Sequence, residues 1–94
     1  MLLEKVKKSL RKSGDHLDDE IIDLIDAAKC DLKLSGVHES KIVDSDPLII
    51  RAITTYCKAN FGYDNNEADR FQKSYDMLKM HMTMSIDYTE GVSE

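Results

Sequence analysis

Apolar residues recur along this chain at intervals of three and four, and nowhere do they alternate as they would in a strand. Leu2, Leu3, Val6 and Leu10 share one side of a first helix over about residues 2–12, and basic residues take the rest. Ser13 and Gly14 are expected to end it, because glycine adopts a left-handed cap cheaply. A second helix starts near Asp18, with Asp18, Asp19 and Glu20 in its electropositive first turn. Ile21, Ile25, Ala28 and Leu32 follow as one stripe, and Gly36 stops it. The stretch "VHESKIVDS" shows no sustained period and reads as a loop.

A third helix opens at "SDP", with Asp46 (or Ser45) as cap and Pro47 at the first helical position, where a missing N–H costs nothing. Ile49, Ile53, Tyr56 and Asn60 follow on one side, flanked by Ala52 and Cys57. Gly62 is expected to stop this helix, and "GYDNN" supplies turn formers. The fourth helix starts at about residue 66, with Glu67 and Asp69 in its first turn and Phe71, Tyr75, Leu78 and Met82 as its stripe. It fades near residue 85, and "DYTEGVSE" is expected to be frayed or extended.

The pattern predicts an all-α fold, a small bundle of about four helices with a flexible C-terminal tail. One domain covers 1–94, divided into a helical body at 1–85 and a tail at 86–94. The expected core is Ile21, Ile25, Leu32, Ile49, Ile53, Tyr56, Phe71, Tyr75, Leu78 and Met82.

The fourth helix carries a second stripe. Met77, Met80 and Met84 fall about 180–240° from the first one. Either the helix is buried on both sides, or its outer face awaits a partner, a use to which flexible, polarizable methionine is suited. Ala27, Cys30 and Leu34 give a weaker echo on the second helix.

Composition narrows the classes. Hydrophobic content of 41% and charged content of 33% describe a folded chain, and 94 residues suffice for one small domain. No apolar run approaches the roughly 18 residues that span a bilayer, so no membrane partner is expected. The start lacks an apolar signal region, so synthesis in the cytosol is expected, with Cys30 and Cys57 as reduced structural thiols.

Charge is unevenly spread within the net −5: residues 1–14 hold five bases and one acid, a net of +4, and the rest holds 8 bases and 17 acids, a net of −9. Lys5, Lys8, Arg11 and Lys12 make the first helix a candidate contact surface. The alternative is a solvated helix face.

Candidate chemistry is sparse. His16, His38 and His81 lack zinc spacing, and His81 reads as a partly buried structural residue. Asp19, Asp23 and Asp26 form a solvated polar face. There is no phosphate loop and no nucleophile with a visible base, so no catalytic, metal or cofactor residue is assigned and no enzyme is expected. A basic first helix could touch phosphates, but the acidic remainder would repel them.

The order "EIIDLIDAAKCDLKLSGV", then "SDPLIIRAITTYCKANFGYDNNEADRFQKSYDMLKMHM", resembles the phage head-tail connector family, small helical adaptors often labelled DNA-packaging proteins in phage and prophage gene sets. The resemblance covers about residues 1–85. It implies a virion structural protein made in the bacterial host cytoplasm. Copies would form a ring on the portal protein, extend the DNA channel, and dock a stopper or tail-completion protein. DNA would pass through without specific binding, which an acidic body suits. The resemblance also implies that the C-terminal segment, with Ile86 and Tyr88, engages the portal or a neighbouring copy. Two other readings stay open. One is a small helical DNA-binding or regulatory protein that uses the basic first helix. The other is a generic helical interaction module.

Overall fold

A computed structural model describes residues 2–11, 17–61 and 66–90. It contains α1 (Leu2–Ser9), α2 (Asp18–Ser35), a single 3₁₀ turn (Glu39–Lys41), α3 (Pro47–Asn60), α4 (Ala68–Thr83) and a short α5 (Ile86–Thr89). Among the described residues there is no strand, so the all-α bundle of four main helices is as the sequence predicts. α3 is the central element: it packs most extensively on α4, then on α2, and also against α1.

Local sequence explains most boundaries. Asp46 caps α3, its Oδ1 accepting from the Leu48 N–H at 2.8 Å and the Ile49 N–H at 3.3 Å, with Pro47 in the first turn. Gly36 closes α2 at φ 120°, and the Val37 N–H then reaches the Leu32 carbonyl at 3.0 Å. That bond folds Val37 under the helix end, where it is buried.

The end of α1 differs from the expected glycine cap. α1 stops at Ser9, the Arg11 N–H donates to the Lys8 carbonyl at 3.1 Å, and Arg11 takes φ 58°. Ser13, Gly14, Gly62 and the candidate contact residue Lys12 lie outside the described residues. A side chain at positive φ costs roughly 1–2 kcal/mol, and glycine itself loses about 0.5–1 kcal/mol in chain entropy. Arg11→Gly is therefore expected to stabilise the fold by roughly 0.5–1 kcal/mol. A urea titration checks this, and an unchanged or lower midpoint would contradict it.

The core is built by Leu2, Val6, Ile21, Ile25, Ala28, Leu32, Val37, Ile49, Ala52, Ile53, Cys57, Tyr75 and Met82. Three expected members sit nearer its edge. Tyr56 and Leu78 are half-buried against the core. Phe71 is half-buried outside it, its ring 5.3 Å from Lys58 Nζ and 5.0 Å from the Arg70 guanidinium carbon. Asn60, at the end of the expected α3 stripe, is exposed and donates to the Tyr56 carbonyl at 2.9 Å.

Candidate functional site

Two polar ties hold the helices together across the bundle. In the first, Asp31 of α2 accepts from the Tyr75 hydroxyl at 2.6 Å and from Lys79 Nζ at 2.9 Å. Tyr75 is fully buried and meets Tyr56 edge-on at a centroid distance of 5.1 Å. Burial pulls the Asp31 carboxyl upward, but the Tyr75 and Lys79 donors outweigh it and leave it below the usual carboxylate range. Burial, with the Asp31 carboxylate beside it, pushes the Tyr75 phenol well above its usual range.

The sign of the acid dependence follows. A carboxyl held low when folded stabilises the fold at neutral pH, and that contribution is lost as pH falls below the ordinary value of about 3.9. Thermal melts between pH 5 and pH 3 are expected to fall more steeply for the wild type than for Asp31→Asn. Parallel slopes would contradict this.

The second tie fixes the C-terminal segment. Ser85 caps α5 by accepting from the Asp87 N–H at 3.2 Å. The His38 N–H donates to the Tyr88 carbonyl at 2.7 Å, and the Tyr88 hydroxyl donates to Asp46 Oδ1 at 3.2 Å. Residues 86–89 are thus a helical turn tied to α3 rather than the start of a frayed or extended tail, and residues 91–94 of the tail expected over 86–94 lie outside the described residues. Tyr88 faces inward against the core. Burial and the Asp46 carboxylate raise its phenol above the usual range.

These ties bring together the C-terminal ends of α2 and α4, the N-terminal end of α3, and α5. Leu48, Leu78, His81, Met82, Ser85 and Tyr88 line a cleft of about 310 Å³ there. Leu34, Leu48, Met84 and Ile86 are exposed at the same end, Leu34 at 87% and Ile86 at 70%. The methionine stripe points outward: Met77, Met80 and Met84 are 59%, 51% and 79% exposed. It is therefore not a second core face. His81 is exposed beside this stripe, which corrects the expectation of a partly buried histidine. Apolar side chains gathered at one end of a small bundle make this end the candidate contact face.

A second surface lies elsewhere on α3. Lys5, Lys8 and Arg11 of the first candidate set are exposed. Lys5 and Ser9 border a cleft whose other wall includes Arg51 and Thr54. Arg51, Thr54, Lys58 and Phe71 continue it, and Arg11, Lys58 and Arg70 lie at its far end. Periodicity and composition do not single out Arg51 and Lys58. Their seven-residue spacing was the available signal, but only the position of α1 shows that they share a groove with Lys5 and Arg11.

Reactive groups are few. Cys30 is exposed and Cys57 is buried, and burial pushes the Cys57 thiol up to about 12. Among the described residues no group of His, Cys, Asp or Glu is arranged to hold a metal, and no helix is long and apolar enough to cross a membrane. The arrangement offers surface shape and charge.

A family model described as "Phage connector protein" matches residues 2–89, which takes in all five helices. No curated protein and no solved structure matches the chain. On a match that spans nearly the whole chain, this protein belongs to the phage connector protein family.

Proposed function

We propose that this protein is a structural adaptor at the head-tail junction of a bacteriophage or prophage particle. Copies of it form a ring on the portal protein, extend the DNA channel, and dock a stopper or tail-completion protein. It carries no catalytic activity, and DNA passes along it without specific binding. It is made in the bacterial host cytoplasm and assembled into the virion. The observation that carries this reading, beside the family match, is the apolar end of the bundle with Met80, Met84 and Ile86 exposed. An unpartnered face of this kind gains from burial at about 25 cal/mol per Å². The net charge of −5 supports a surface past which DNA slides, because it disfavours tight phosphate contacts.

The test is co-sedimentation of the purified chain with portal rings from the same genome. Wild type is expected to bind in a fixed ratio. Met80→Asp places a charge on the apolar face and is expected to weaken binding by tenfold or more, since about 1.4 kcal/mol suffices for that. Wild type that stays free would overturn the portal reading. Met80→Asp with unchanged binding and self-association would remove the methionine stripe from the interface.

A further inference from the structure

The chain carries two surfaces of opposite charge that, among the described residues, make no ion pair with each other. The first is the groove along α3. Lys5, Arg11, Arg51, Lys58 and Arg70 line it, against Asp44 and Glu67, so it is net positive on a chain of net −5. Among the described residues, Lys5, Arg11 and Arg51 make no ion pair. Thr54, Thr55 and Ser74 add hydroxyls to the same walls.

The second is the outer edge of α2. Asp19, Glu20, Asp23 and Asp26 are exposed and, among the described residues, form no ion pair. Their neighbour Asp18 is the one that turns inward, pairing with Lys7 of α1 at 2.8 Å. Spacing matches as well as sign. Asp19 and Asp26 are seven residues apart, or about 10.5 Å along the helix axis. Arg51 and Lys58 are also seven residues apart on α3, and so span the same ~10.5 Å. Two turns of one helix therefore carry charges at the same spacing as two turns of the other.

We infer that the acidic edge of α2 in one copy seats in the cationic groove between α1, α3 and α4 of a second copy. This deepens the ring reading proposed above and rests on it. Groove and edge are different surfaces, so the contact is head-to-tail and propagates, closing when the rotation between copies allows. Two copies of net −5 repel at long range, so the contact sets register and specificity at short range. Duplex DNA would also meet positive charge in the groove, but it would meet the −9 of residues 15–94 around it.

Charge reversal with rescue tests this contact. Arg51→Glu with Lys58→Glu makes both surfaces acidic. Asp19→Lys with Asp26→Lys removes the net charge of the α2 edge and sets bases at positions 19 and 26 against the basic groove. All four changes in one chain restore opposite charges at the four paired positions, with the signs exchanged. Self-association is read by sedimentation equilibrium at protein concentrations up to ~1 mM, where contacts as weak as about −4.1 kcal/mol are seen. Portal loading is read by co-sedimentation. Each double variant is expected to lose tenfold or more in association constant, and the fourfold variant to recover it. Because the fourfold variant contains both pairs of changes, its recovery excludes misfolding as the cause of the losses.

Double variants that associate and load like wild type would overturn the inference while leaving portal binding in place. A fourfold variant no better than the doubles would overturn it too. So would a groove variant that loses only the ability to retard duplex DNA in a gel, which would make the groove a nucleic-acid site. Failure of wild type to bind portals would sink the adaptor reading. The α2 contact would then be judged on self-association alone, and wild type monomeric up to ~1 mM would end it as well.

Discussion

Tyr75→Ala is expected to bring this protein to the edge of unfolding. Tyr75 of α4 is fully buried, meets Tyr56 of α3 edge-on, and donates its hydroxyl to Asp31 of α2. Removing a buried aromatic ring costs about 3–5 kcal/mol through lost transfer energy and the cavity left behind. A chain of 94 residues has roughly 5–14 kcal/mol in total. The loss is thus a large share of the whole, equivalent to a drop of more than about 12 °C in melting temperature. Tyr75→Phe separates the ring from the hydroxyl. It keeps the packing and leaves Asp31 with Lys79, so its cost is about 1 kcal/mol. Thermal melts followed by circular dichroism check both. A Tyr75→Ala midpoint within a few degrees of wild type would show that the ring is not the keystone of the α3–α4 contact.

Asp46→Ala carries the next largest expected effect outside the apolar core. One carboxylate oxygen accepts from two backbone N–H groups at the start of α3 and from the Tyr88 hydroxyl of α5. Loss of an N-cap costs about 1 kcal/mol, and the lost Tyr88 bond adds roughly another. The total of about 2 kcal/mol is expected with a local signature. Amide exchange should accelerate in residues 86–90 and at His38, whose N–H is bound to the Tyr88 carbonyl. Tyr88→Phe in a double-mutant cycle with Asp46→Ala isolates the tie, with an expected coupling of about 0.5–1 kcal/mol. Additive effects would mean that α5 is held by packing alone.

The two substitutions also separate what periodicity can reveal from what it cannot. The core stripes, the Asp46 cap and the Gly36 stop were all readable, because each depends on residues within one helix or one turn of it. The Asp31 tie was not. Its partners lie 44 and 48 residues away, and within α2 Asp31 is one more acid on a polar face. The same holds for Tyr88, which reads as part of a polar tail until Asp46 and His38 are placed beside it. A four-residue helix shows no period, although the Ser85 cap two residues before Asp87 was a local sign of it. Phe71 continues the α4 stripe and so reads as core, but in the fold its ring meets Lys58 and Arg70 instead. The methionine stripe left burial and exposure open, and only the packing of α4 decides for exposure.

Deletion of the coding sequence from the phage or prophage genome that carries it, with wild-type protein resupplied in trans, tests the central claim most directly. Particles are counted by electron microscopy after induction. A component of the head-tail junction predicts separate heads and tails in the deletion and joined, infectious particles on complementation. Tailed, infectious particles at wild-type numbers without the protein would contradict the account.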